Sequence, residues 1–354
     1  MSEAIHALEL SYEEWVDLCV NTWHLPKYRA DQLCQWIYDK KIFNVHEMSN
    51  LSKELRENLV YGLMILPPIA VREDTSKDGT KKFLWQLYDG ERIESVLLSH
   101  GSHTTACISS QVGCPLNCSF CATGKSGFTR DLTAGEMVGQ FLAMEKRLGQ
   151  NINNIVFMGM GEPFLNSAEL FKAIRILNSP KMRNLGARHI TISTSGVVPG
   201  ILELAEFPIP VRLSVSLHAP NDSLRSRIMP VNKKYSLGSL VDSLKFYRQK
   251  TGERITIEYV MLLKVNDEPE FAYELAALLS GLGVYVNLIP YNPVDLPDPT
   301  GQEFQRSNPE RVKAFSAILT KLGIENEIRK EKGKDIDAAC GQLRIRSLRE
   351  GGSM

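Results

Sequence analysis

The stretch Ile108 to Thr123, reading I-S-S-Q-V-G-C-P-L-N-C-S-F-C-A-T, decides how the rest of the chain is read. It carries Cys114, Cys118 and Cys121 in the spacing C-x-x-x-C-x-x-C on one short segment. Three thiolates so placed can ligate three irons of a cubane [4Fe–4S] cluster and leave the fourth iron without a protein ligand. An open metal position is what a catalytic site needs, whereas structural zinc is closed by four ligands, usually as two separated pairs. No second pair lies near this segment, and structural zinc or a chance spacing stands as the alternative.

Composition bounds the rest. A chain of 354 residues is long enough for one large α/β domain and a smaller module. Its 41 Lys+Arg balance 41 Asp+Glu, so no global attraction draws it to nucleic acid or to a membrane, and any RNA site must be a local patch. The seven cysteines are an odd number, and Met1 to Leu10 has neither the basic region nor the apolar run of a signal peptide. No stretch approaches the roughly 18 apolar residues of a membrane span. These features imply a cytoplasmic protein without a membrane partner, its thiols free for metal and redox chemistry.

Upstream of the cysteines, Lys82 to Tyr88 and Arg92 to Leu98 alternate as strands, with Asp89-Gly90 between them as a two-residue hairpin signal. Glu94 falls on the face of Val96 and Leu98, opposite Ile93 and Ser95, which lets a polar group point inward, though an ordinary surface glutamate is the default reading. Further upstream, Tyr12 to Trp23, Tyr28 to Lys40 and Lys53 to Leu63 have helical periodicity and form a small module ending near Pro67-Pro68. Cys19 and Cys34 sit among its apolar residues as small buried hydrophobes. Lys27, Tyr28, Arg29, Lys40 and Lys41 could make a basic, aromatic-interleaved RNA face or a plain solvated surface.

Downstream the pattern becomes strand then helix, repeated. Strands are expected at Thr104 to Ser109, Asn154 to Met158, His189 to Thr194, Val211 to Leu217, Ile255 to Leu262 and Val284 to Ile289, with a helix at Thr133 to Leu148 opened by the capping box Thr133-x-x-Glu136. Six β/α units argue for a parallel sheet curled into a partial barrel, with functional groups at the carboxyl ends of its strands. Polar groups do cluster there: Gly159-Met160-Gly161-Glu162-Pro163, Ser193-Thr194-Ser195-Gly196, Ser216-Leu217-His218 and Pro290-Tyr291-Asn292-Pro293. The division expected is a helical accessory module over 1–66, a β-hairpin extension over 67–99, the barrel over 100–334 and a C-terminal segment over 335–354.

The cysteine spacing, with Phe120 before the last cysteine, resembles the signature of the radical S-adenosylmethionine (SAM) superfamily. Longer segments, among them G-M-G-E-P-F-L-N, S-T-S-G-V-V-P, S-L-H-A-P-N-D, T-I-E-Y-V-M-L and D-I-D-A-A-C-G-Q-L, resemble the RlmN/Cfr family of radical-SAM RNA methyltransferases from about Tyr12 to Leu343. The resemblance implies a partial (β/α)6 barrel and a cluster held by Cys114, Cys118 and Cys121. It implies a SAM site lined by Glu162, Pro163, Ser193, Ser216, Leu217, His218 and Asn292. Cys340 becomes the cysteine that accepts a methyl group, Cys107 its thiol partner and Glu94 the general base. The implied partners are 23S rRNA and tRNA and an electron donor such as flavodoxin or ferredoxin, with the chain acting as a monomer.

The chemistry accounts for that set. An sp² carbon of adenine is too weak a nucleophile for the methylsulfonium of SAM, and a thiolate is not. A methylated Cys340 can then lose hydrogen to a radical, add to the ring and be released when Cys107 attacks its sulfur and forms a disulfide. The run Thr256 to Asp267 and the N-terminal module resemble the C2-methylating members of the family, which implies methylation of adenine C2; C8 methylation of the same nucleotide is the alternative within the family. A non-enzymatic iron–sulfur or zinc RNA-binding protein is the alternative of another class, and it leaves Cys107 and Cys340 without a purpose. Basic groups at Lys181, Arg183 and Arg188, at Arg225, Arg227, Lys233 and Lys234, and at Arg329, Lys330, Lys332 and Lys334 could ring the barrel mouth and hold phosphates.

Overall fold

The structure is a computed structural model that describes residues 5–294, 301 and 303–343; the expected C-terminal segment lies outside the described residues from 344 onward, as do residues 1–4 of the accessory module. A ten-stranded sheet runs in sequence order from the edge strand Ile69–Thr75 to Glu325–Ile328. The strands Ile69–Thr75, Lys81–Gln86, Arg92–Ser99 and Thr104–Cys107 pair with one another in that order, each pair antiparallel. From Thr104–Cys107 onward all pairing is parallel, through Asn154–Phe157, Ile190–Thr194, Arg212–Ser216, Ile255–Met261, Tyr285–Pro290 and Glu325–Ile328. Parallel strands covered on both faces need apolar residues on both, and Ile255–Met261 is buried at every position but Thr256.

Sequential parallel strands with helical crossovers curl the sheet. The curl is visible in a cavity reached by residues of every parallel strand, from Thr105 and Val156 through Ser214 and Thr256 to Glu327. The barrel is partial, since Glu325–Ile328 and Ile69–Thr75 are sheet edges. The first crossover helix, Ala134–Leu148, has the expected capping box. Thr133 Oγ1 accepts from the Glu136 N–H, Glu136 Oε2 accepts from the Thr133 N–H, and Gly149 closes the other end.

The expected six strands are all present, and the structure adds what the sequence pattern hid. Glu325–Ile328 is a seventh parallel strand whose four residues, E-N-E-I, carry no apolar run. Ile69–Thr75 is largely exposed, and Gln111–Gly113 pairs with Phe128–Asp131 as a separate ribbon bracketing the three cysteines. The hairpin between Lys81–Gln86 and Arg92–Ser99 is longer than the dipeptide Asp89-Gly90 suggested. The Leu87 N–H donates to the Glu91 carbonyl at 2.8 Å, which leaves the three residues Tyr88, Asp89 and Gly90 in the loop, and Gly90 has φ +90°, the left-handed position of a type I turn with a bulge.

In the accessory module, Tyr12–Asp17 and Tyr28–Cys34 each run on into a π turn, and Lys53–Gly62 leads to a parallel bridge of Leu63–Met64 with Ile5–His6. Trp15, Cys19, Ala30, Cys34 and Ile37 fill its core.

Candidate active site

The three cysteines sit between the ribbon and a short helix, Ala122–Lys125. The Cys114 N–H donates to the Gly127 carbonyl (2.8 Å) and the Cys121 N–H to the Cys118 carbonyl (3.1 Å), while Ser119 ties the loop to the barrel through its N–H and hydroxyl, both on the Ile228 carbonyl. All three thiols line one cleft at the carboxyl ends of the parallel strands. Burial pushes Cys114 up to about 12 and raises Cys118 well above its ordinary value, so these bare thiols hold their protons at neutral pH; bound metal cations reverse that balance. Among the described residues no three His, Cys, Asp or Glu side chains group tightly about one point as for a single ion. A cluster asks instead for one thiolate per iron along a shared wall.

The opposite wall comes from the strand ends. The turn after Asn154–Phe157 is locked to the segment before Cys114: Gly159 N–H donates to the Ile108 carbonyl, Met160 N–H to Ser109 Oγ, and Glu162 N–H to Gln111 Oε1. Gly161, at φ +106°, admits no side chain, because a Cβ there would lie 2.7 Å from Cβ of Gln111. This turn sets Glu162 in the cleft, where its carboxylate accepts from Thr194 Oγ1 (2.7 Å), the Phe164 N–H (3.2 Å) and the Ser195 N–H (2.6 Å). Burial raises its pKa against the pull of these donors.

Ser193, Ser216, His218 and Asn292 line the same cleft. Pro163 opens a short 3-10 turn behind Glu162, and the Leu217 side chain is buried in the core, so both shape the wall rather than face the space. His218, at φ +58°, accepts from the Val260 N–H at Nδ1 (3.0 Å), and burial pulls its pKa down to about 3. A neutral ring accepting at Nδ1 carries its proton on Nε2. Among the described residues, Asn292 Oδ1 and Glu258 Oε2 are buried without a hydrogen-bond partner. Such groups in a cleft fit a polar ligand that satisfies them, as the amino, carboxylate and adenine groups of SAM can.

A second pocket merges with the first, sharing Cys121, Met158, Asn292, Arg329 and Cys340. Cys107, last residue of its strand, and Cys340 both line it. Cys107 is pushed up to about 12 by burial and the neighbouring Cys340, with Arg329 opposing. Arg329 in turn is held firmly protonated, first by Cys340 and then by Glu258, whose carboxylate is 3.8 Å away. Glu94 is buried rather than the surface glutamate that is its default reading, on the face of Val96 and Leu98, which do line the pocket; its carboxylate pairs with Lys82 at 3.4 Å, outside the immediate lining.

The segment carrying Cys340 is fastened at both ends. Asp335 accepts from Ser76 Oγ (2.5 Å) and the Lys77 N–H, and the Gly333 N–H donates to Asp78. On the far side the Gly341 carbonyl accepts from the Ala122 N–H and the Leu343 carbonyl from Thr123 Oγ1.

The basic residues divide. Arg188, Arg227, Lys233, Lys234 and Lys334 are exposed, but Arg183 is bound to the buried carboxylate of Glu145 at 2.5 Å and Arg225 is fully buried, so neither can hold a phosphate. Arg329 turns into the cleft. Sequence reasoning grouped it with surface cations because E-I-R-K-E-K gives no sign of which side chain points inward; only the unforeseen strand Glu325–Ile328 does. Gln111 and Glu258 were missed likewise.

A sheet of this topology, with three cysteines and a polar cleft at the carboxyl ends of its strands, is the radical SAM fold. Residues 108–276 match the family model of the radical SAM superfamily, and residues 8–65 match that of the ribosomal RNA large subunit methyltransferase N-terminal domain. A crystal structure of a radical SAM methyltransferase from Sphaerobacter thermophilus superposes with a TM-score of 0.92 at 45% identity, covering 96% of this chain and 99% of that one. The chain is 50% identical to a protein of Thermotoga neapolitana over 96% of its length and 97% of the relative's. It is 51% identical to one of Thermosipho melanesiensis over 97% and 99%; both relatives carry the name "Probable dual-specificity RNA methyltransferase RlmN". The chain belongs to the RlmN family of radical SAM RNA methyltransferases.

Proposed function

We propose that the protein methylates C2 of an adenosine in 23S rRNA at the peptidyl-transferase centre, and the adenosine 3′ of the anticodon in tRNA, by way of an S-methylcysteine at Cys340. The observation that carries the reading is the convergence of Cys107, Cys340 and the three-cysteine loop on one merged cleft. The names of the relatives, with their dual specificity, support two RNA substrates. Cys114, Cys118 and Cys121 hold the cluster; Glu162, with the Ser193 to Ser195 turn it organises, Ser216, His218 and Asn292 hold SAM. When bound, these groups supply a methylsulfonium for methyl transfer and a 5′-deoxyadenosyl radical for hydrogen abstraction.

The chain's own residues do the rest. Cys340, beside the Arg329 guanidinium, attacks as thiolate and becomes a thioether. Hydrogen loss from its methyl group leaves a carbon that joins the adenine ring, covalently linking protein and RNA. The adduct is then a radical; it gives up one electron to the oxidised cluster as Glu94 takes the ring proton from the substrate carbon brought to the pocket edge beyond Val96. Cys107 attacks the Cys340 sulfur, the S–C bond breaks, a disulfide forms and the freed carbon takes a proton. An external electron donor of the flavodoxin or ferredoxin kind serves the cluster, and reductant must reopen the disulfide. Nucleoside mass spectrometry of an rRNA fragment after turnover tests the reading: 2-methyladenosine is expected, and 8-methyladenosine overturns the choice of carbon.

A further inference from the structure

Arg225 lies on the helix Asp222–Ile228 with none of its surface exposed. Its guanidinium is held by neutral acceptors. Nε donates to the Leu217 carbonyl (3.0 Å), Nη1 to Asn232 Oδ1 (3.0 Å), and Nη2 to the Ser195 (2.6 Å) and Ser216 (3.1 Å) carbonyls. Among the described residues it forms no ion pair. A buried cation held only by dipoles is costly unless an anion compensates it.

The site of that anion is marked by the chain itself. The carbonyl of Ile228, at the end of the helix that carries Arg225, accepts both hydrogen bonds from Ser119, the neighbour of Cys118. Burial pulls the Arg225 guanidinium down to about 10, and Cys118, ahead of Asp222 and Glu162, opposes that pull once its thiol has given up its proton to metal. An iron–sulfur cluster held by three thiolates is formally anionic, and its charge grows when it takes an electron.

We propose that Arg225 is the buried counter-cation of the cluster and raises its reduction potential by stabilising the reduced, more negative form. The proposal rests on the reading that Cys114, Cys118 and Cys121 hold that cluster. Charge near a cluster is among the determinants of its potential, so the guanidinium makes the one-electron reduction by the donor protein easier. It is a positioning residue too, since it ties the carbonyls at two strand ends, and the test must separate the two roles.

Three variants do so: R225K, which keeps the charge; R225Q, which removes it; and the exchange D222N/N232D. Asn232 Nδ2 now donates to Asp222 Oδ1 at 2.8 Å. The exchange leaves Arg225 in place and moves the negative charge from the exposed helix start onto Nη1, at the expense of the hydrogen bond that Asp222 Oδ1 now accepts from the Leu237 N–H and of the bond from Asn232 Nδ2 to the Asp222 carbonyl. Each protein is reconstituted anaerobically, its iron counted, and its midpoint potential measured by titration followed by electron paramagnetic resonance. R225Q and the exchange are expected to shift the midpoint to more negative potential, with R225K near wild type. Cluster-loaded R225Q and exchange variants with the wild-type midpoint overturn the proposal; if R225Q does not fold, the exchange alone decides. A wild-type protein that takes up no iron overturns the cluster reading, and the inference with it.

Discussion

Replacing Glu162 by Gln tests how the cleft is built. Its carboxylate serves three donors, Thr194 Oγ1, the Phe164 N–H and the Ser195 N–H, and an amide has a single acceptor oxygen. If that oxygen stays on Thr194 and Phe164, the Ser195 N–H meets an NH2 group and is left unsatisfied, which costs about 1–3 kcal/mol. Against this, the variant no longer buries a charge. The wild-type carboxyl has a pKa raised by burial, so the folded state binds its proton more tightly than the unfolded state. Its relative stability is full below the unfolded pKa and declines as pH rises through the folded value. The stability difference should therefore move in favour of E162Q as pH rises through that window, measured by urea unfolding of the iron-free protein. SAM affinity should fall roughly 10- to 100-fold, about 1.4–2.8 kcal/mol, because the Ser193 to Ser195 turn loses its fixed position. Equilibrium dialysis with reconstituted protein reads this. Wild-type SAM affinity in E162Q would refute the claim that Glu162 organises the cofactor wall.

Other outcomes follow from the same geometry. Cys118→Ala should lose the cluster and SAM cleavage while leaving the fold, as iron counting and circular dichroism will show, because the loop is carried by an independently packed barrel. Cys107→Ala should accumulate a covalent RNA adduct, seen as a gel band that ribonuclease shortens, and Cys340→Ala should form none. With Cys107 pushed up to about 12, its thiolate fraction rises about tenfold per pH unit below that value. Adduct resolution in single turnover should accelerate accordingly between neutral and mildly alkaline pH. Asp335→Ala releases Ser76 and Lys77 from the base of the Cys340 segment, and hydrogen exchange should quicken around Ala338 to Leu343.

Much of this was legible in the chain because chemistry and backbone signals coincided. The cysteine spacing, the capping box at Thr133 and the polar strand ends each belong to a local rule, and the parallel strands announce themselves as apolar runs. What stayed hidden depends on long-range pairing. Glu325–Ile328 is polar because it is a sheet edge, and without it Arg329 could not be placed beside Cys340. Arg225 looked like a surface cation, since nothing local distinguishes an arginine that will be swallowed by strand-end carbonyls from one in water. The hairpin loop was misjudged by one residue because Asp-Gly serves both two-residue turns and a type I turn with a bulge.

The central claim is that the carbon delivered to adenine first resides on Cys340 and loses one hydrogen there. The most direct measurement loads Cys340 from SAM with a fully deuterated methyl group, removes free SAM, adds unlabelled SAM, reductant and an rRNA fragment, and weighs the methyladenosine from one turnover. The account predicts a methyl group with two deuterons and one solvent-derived proton. A methyl group that arrives with all three deuterons, or with none, would contradict it.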